Sequence, residues 1–134
     1  MAIHRNYNSK EEFFTKRLAE IFNEYTNDDF MRTTEGIFYD SSHLVHYFTY
    51  LYGWDEYKDF LAGLIRCDFG IYFLEMINDY LIGKWGHLAS KYTLTAFAGA
   101  LYNTFTLWST GGYVETPAQL SANLTQIFNN CECR

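Results

Sequence analysis

Residues 88–128 read LASKYTLTAFAGALYNTFTLWSTGGYVETPAQLSANLTQIF, and their spacing decides the fold class. Leu94, Phe97, Leu101, Phe105 and Trp108 recur at three- and four-residue steps, the period of one helix face. Beside them run Thr95, Gly99 and Asn103 at four-residue spacing, and small residues at that step let a second helix approach closely. A glycine inside a helix costs about 1 kcal/mol against alanine, so tight packing at Gly99 is expected to offset it. Gly111–Gly112 then stop the helix. Thr116 caps the next one, with Pro117 at its first position and Gln119 completing a capping box. Leu120, Leu124, Ile127 and Phe128 form its apolar stripe. Together the two helices carry more apolar surface than one small bundle needs. A homodimer is therefore expected, with Thr95, Gly99, Asn103, Leu120, Leu124, Ile127 and Phe128 at its interface.

The same period extends towards the N-terminus. Glycines at 36, 53, 70 and 86 punctuate segments that share no further repeat, so they read as turns and helix ends. Ser9 and Glu12 form a capping box, which predicts a helix from Ser9 to about Asn27 with Phe14, Leu18, Ile21, Phe22 and Tyr25 on its apolar stripe. A short segment, Asp28–Gly36, with room for one helical turn, follows. Helices are then expected from Ser41 or Ser42 to Tyr52, from an N-cap at Asp55 to about Cys67, and from Phe69 to Trp85. Trp54 falls in the turn after the first of these, and Gly83 near the frayed end of the last. The helix through the opening stretch is expected from Leu88 to Thr110. Valine occurs only twice and no alternating strand is legible, so the chain is all-α.

Composition narrows the function. One residue in five is aromatic, with twelve Tyr, twelve Phe and three Trp among 134 residues. That supplies the core of one domain and excludes intrinsic disorder. No long uninterrupted apolar run or signal peptide is present, so a soluble, cytoplasmic protein without membrane contact is expected. The net charge is −6, unevenly spread. Arg5, Lys10, Lys16 and Arg17 face only Glu11 and Glu12 in the first seventeen residues, a local +2 that leaves −8 on the rest. Phosphate binding needs clustered Lys and Arg, so nucleic acid would have to meet the first turns of the chain.

No motif for catalysis stands above its structural explanation, and an enzyme is not expected. His43 and His46, three apart, can share a metal with Asp40, but no second histidine pair or HExxH supports them. Cys131 and Cys133 form an isolated C-x-C, and Cys67 reads as a packing residue. Glu75 and Asp79 at i, i+4 can act as acid and base, yet such pairs are more often a solvated helix face. No phosphate loop occurs, and no cofactor is implied. The excess of rings in the middle helices is the better lead. Tyr47, Tyr50, Tyr52, Tyr57, Phe60, Tyr72, Phe73 and Tyr80 can simply pack. They can equally line a cavity with apolar walls and polar tips for a flat or cationic hydrophobic effector. The expected pocket residues are His46, Tyr47, Tyr50, Phe73, Met76, Tyr80 and Tyr102.

Two stretches resemble the tetracycline-repressor-like (TetR) family of transcriptional regulators. Ile3–Phe14, IHRNYNSKEEFF, is similar to that family's junction between recognition helix and regulatory body. Ile3, Arg5, Tyr7, Ser9, Lys10 and Glu11 match the junction pattern, and His4 stands where Tyr is usual. Tyr92–Phe128 resembles the tail of the family's regulatory domain: a helix ending in Trp108, a glycine turn, Thr116–Pro117 and a closing amphipathic helix. The resemblance implies a regulatory helical bundle over residues 9–134, dimerising through its last two long helices, behind a remnant of the recognition helix at 1–8. It also implies a DNA-facing role for His4, Asn6 and Lys10. Met1 would then fall inside the recognition helix, so operator DNA is an expected partner only of a version with a full helix-turn-helix. The alternative is a DNA-independent helical ligand-binding or adaptor protein, complete as encoded. A helix-turn-helix encoded in frame upstream of Met1 would separate the two.

Overall fold

The computed structural model describes residues 2–28, 36–53 and 55–132, with side chains for 9–28, 36–52 and 57–127. Among them are six helices and no strand: α1 (Ala2–Thr26), α2 (Ser41–Gly53), α3 (Asp55–Arg66), α4 (Gly70–Trp85), α5 (Lys91–Thr110) and α6 (Pro117–Glu132). The chain is all-α. No helix in the described residues is long and apolar enough to cross a membrane.

Three of the six helix starts, those of α2, α5 and α6, have a visible chemical cause. The backbone N–H of Thr116 donates to Gln119 Oε1 at 2.8 Å, and the Gln119 N–H donates to Thr116 Oγ1 at 3.2 Å. This reciprocal box opens α6 as expected. Asp40 precedes α2; its carbonyl accepts the first helical N–H, from Leu44, and its carboxylate ties down the N–H of Ile37.

Two expected starts move. α5 begins at Lys91, because the Ser90 hydroxyl accepts the Thr93 N–H at 3.1 Å and Gly86–Ala89 form the preceding turn. α1 does not begin at Ser9: residues 2–8 contain no glycine or proline, and the helix continues back through them to Ala2. Ser9 is thus a mid-helix residue, and no helix boundary falls at residue 8. Trp54 and most of the expected turn at Asp28–Gly36 lie outside the described residues. α3 ends at Arg66, and Phe69 is the uncapped residue before α4.

α4 packs along α5 and α2 along α6, while α1 lies on α4. One core joins them, including Leu18, Phe22 and Tyr25 of α1, Leu44 and Phe48 of α2, Phe73 and Ile77 of α4, and Phe97, Leu101 and Phe105 of α5. Between α5 and α6 the turn is closed tightly. The Trp108 indole N–H donates to the Glu115 carbonyl at 2.8 Å, and the Tyr113 N–H donates to the Trp108 carbonyl at 2.9 Å. Tyr113 holds φ at 58°, a left-handed conformation that costs about 1 kcal/mol or more in a non-glycine residue. Burial of Trp108, the edge-to-face contact of Tyr113 with it and the tilted contact of Tyr113 with Tyr52 are what hold it there. Despite that hinge, α5 and α6 barely touch along their lengths.

Candidate ligand site and helix face

Tyr25, near the C-terminal end of α1, is the centre of a box of rings. Its centroid lies 5.2 Å from Tyr50, 5.4 Å from His46, 5.4 Å from Tyr80 and 6.1 Å from Tyr47. Asp28 stands at the mouth, 3.4 Å from His46 Nε2. Tyr57 donates a hydrogen bond to Glu24, and its ring lies 5.9 Å from Tyr50. α1 brings Tyr25 and its acids there because Phe22 and Tyr25 share the stripe that buries α1 against the bundle.

Behind the box lies a buried polar relay. His43 is 1% exposed; its Nδ1 is 2.8 Å from the Phe38 carbonyl and its Nε2 is 2.8 Å from the Tyr80 hydroxyl. A carbonyl only accepts, so Nδ1 carries the hydrogen and Nε2 accepts from Tyr80. Both ring nitrogens are thereby committed, leaving no lone pair on His43 for the metal considered from sequence. Burial lowers the imidazole pKa to about 4, against a smaller upward pull from its bond to Phe38. Burial also lowers His46, partly opposed by Asp28. The hydroxyls of Tyr25 and Tyr47 are pushed well up by burial first and by neighbouring tyrosines second. All these rings are therefore neutral near pH 7. The Tyr47 hydroxyl is buried and has no hydrogen-bond partner among the described residues. The void bounded by Ile21, Phe22, Tyr25, Tyr47 and Leu51 holds about 10 Å³, room for one water at most.

The expected pocket residues divide into three groups. His46, Tyr47, Tyr50 and Tyr80 meet around Tyr25. Phe73 and Tyr102 meet each other instead, 5.7 Å apart on the α4–α5 seam, where Phe73 is wholly buried. Met76 lies outside, with Tyr80, on an open groove between α1 and α4. That groove has two overlapping lobes of about 330 and 320 Å³, which share Thr26, Asp79 and Tyr80. Ligand-sized space thus lies beside the ring box, not within it, because the rings fill their own enclosure. Sequence reasoning missed Tyr25, His43 and Phe22 as members of this site. The signal available was Tyr25 at the end of an apolar stripe, three residues before Asp28.

The expected interface residues divide as well. Thr95 and Asn103 are exposed, and a Cβ added at Gly99 would meet nothing within 4 Å. Tight packing against Gly99 is therefore absent among the described residues. Leu120 and Leu124 are buried at the floor of a groove of about 580 Å³ between α5 and α6. Its rims include Leu107, Val114 and Ile127, which are 75%, 79% and 57% exposed. Phe128 lies outside the described side chains, as do His4 and Asn6; Lys10 is exposed. One signal in the sequence marks this face more sharply than the apolar spacing. Residues 92–130 contain a single charged side chain, Glu115.

Compared with known proteins, the chain matches no family model, no curated protein and no solved structure.

Proposed function

We propose that this chain is the ligand-sensing and dimerisation region of a TetR-like transcriptional regulator. The uncharged face of α5 and α6 carries this reading. Solvated helix faces are ordinarily studded with Lys and Glu, whereas the cores of permanent interfaces are depleted of them. Leu107, Val114 and Ile127 stand exposed around one groove on that face. A second copy is the occupant whose chemistry fits: it brings the same uncharged surface, and a two-fold axis would place Thr95, Gly99 and Asn103 against their equivalents. Docking there also keeps apart the charged remainders of two chains that each carry −6.

The sensing element in this reading is the ring box with its adjoining groove. A ligand acts by favouring one arrangement of α1 against the bundle over another. α1 runs unbroken from Ala2 to Thr26, so movement at the box is transmitted along a helix of 25 residues. Operator DNA is a partner of a version carrying a complete helix-turn-helix, and His4, Asn6 and Lys10 belong to the DNA-facing end. The protein performs no catalysis in this reading.

Sedimentation velocity at micromolar protein tests the dimer. The chain is expected to sediment as a dimer, and a Leu107→Glu/Ile127→Glu variant as a monomer with unchanged helicity. A monomeric parent chain would overturn the assignment. Native mass spectrometry of freshly purified protein tests sensing, with a stoichiometric small molecule expected.

A further inference from the structure

We infer that the groove between α1 and α4 is a binding site for a small amphiphilic organic cation; this rests on the ligand-sensing reading above. The groove is of ligand size, and its walls differ from an ordinary helix seam. Phe22, Met76 and the Tyr80 ring supply an apolar floor. The Tyr80 hydroxyl is turned inward to His43, and the residue lines both lobes of the groove. Gly83 forms part of the wall inside helix α4, and a Cβ added there would meet nothing among the described residues within 4 Å. No close packing calls for this glycine, although it weakens the helix. Its effect is to leave the groove wide.

The polar atoms of the groove select the charge. The Thr26 hydroxyl donates to the Asn23 carbonyl, and the Asn23 side-chain oxygen accepts from Asn27. The Asp79 carboxylate has no hydrogen bond or ion pair among the described residues. Lys84, the basic side chain of the wall, holds its ammonium 5.4 Å above the Trp85 ring. The groove therefore offers an available carboxylate, two aromatic rings and a polarisable thioether. Cations are attracted to ring faces, and sulfur suits large, weakly hydrated ones. An amphiphile with a basic or quaternary nitrogen satisfies floor and rim together.

Tetraphenylphosphonium and tetraphenylborate, nearly the same shape with opposite charge, provide the test by isothermal titration calorimetry. The phosphonium is expected to bind at least about tenfold more tightly than the borate, since only one sign suits the groove. Gly83→Phe should fill the groove and weaken phosphonium binding by about tenfold or more. Asp79→Asn should weaken it about three- to fivefold, the scale of an exposed charge. Circular dichroism on each variant checks that the helices remain. Borate binding as tight as phosphonium, with both lost in Gly83→Phe, would overturn the charge class and leave ligand sensing standing. Phosphonium binding unchanged by Gly83→Phe would overturn the groove as its site. No binding of either ion overturns the inference, while a neutral molecule in the native mass spectrum would still support sensing.

Discussion

The Nε2 of His43 can accept the Tyr80 hydroxyl only while the ring is neutral, because protonation would turn that acceptor into a donor. Its folded pKa of about 4 lies below the ordinary 6.5. Between those values the unfolded chain binds a proton that the folded chain does not. Stability therefore rises with pH through this window and is lost on acidification. His46, also lowered, adds in the same direction. Between pH 7 and 5 the loss from His43 is expected to be about 2 kcal/mol. Urea denaturation at the two pH values should show it, and a His43→Phe/Tyr80→Phe variant, which removes both partners of the bond, should lack that part of the drop. Equal pH dependence in both proteins would show that His43 is not buried neutral. A second residue-scale effect concerns Gly70, where an added Cβ would collide with the Tyr102 hydroxyl oxygen. Gly70→Ala should destabilise by about 1–3 kcal/mol through overpacking. In a Tyr102→Phe background the penalty should shrink, and an undiminished penalty would place the strain elsewhere.

At the scale of the helix, the best-read parts of the sequence were those where local chemistry settles the outcome. Thr116, Pro117 and Gln119 open α6 through hydrogen bonds made within four residues, so their pattern needs no knowledge of the fold. Thr116→Ala is accordingly expected to cost about 1 kcal/mol of unfolding free energy, read by urea denaturation. Gln119→Ala should cost less in that background than in the parent chain, because each member of the box serves the other. Additive losses would mean that the two bonds are independent. Ser9 carries the same local signature as Thr116, yet it lies inside α1. A capping residue can stop a helix only where the preceding residues leave it, and residues 2–8 do not. The site was legible in part for a related reason. The crowding of rings in the middle helices pointed to Tyr47, Tyr50 and Tyr80, but which rings meet depends on how α1, α2 and α4 cross. Tyr25 and His43 join the box through that crossing, and Phe73 and Tyr102 leave it for the α4–α5 seam.

For the whole molecule, the dimer assignment makes a prediction about salt that separates this face from any other. An interface held by ion pairs weakens as salt screens them, over a distance of about 10 Å at 0.1 M. The proposed interface has only Glu115 across residues 92–130, so there is almost nothing at its centre to screen. What remains is repulsion between two bodies of charge −6, which salt reduces, and burial of apolar surface, which salt does not oppose. The dissociation constant should therefore stay level or fall as sodium chloride rises from about 50 to 500 mM. Leu107→Ala should weaken association by about 1 kcal/mol or more without changing this slope, since it removes apolar area and no charge. Sedimentation equilibrium across the salt series reads both quantities. A dimer that dissociates about tenfold more readily in high salt would be held by charged side chains. Its interface would then lie on α1, α3 or α4, where those side chains are found, and the α5–α6 face would be left without its proposed occupant.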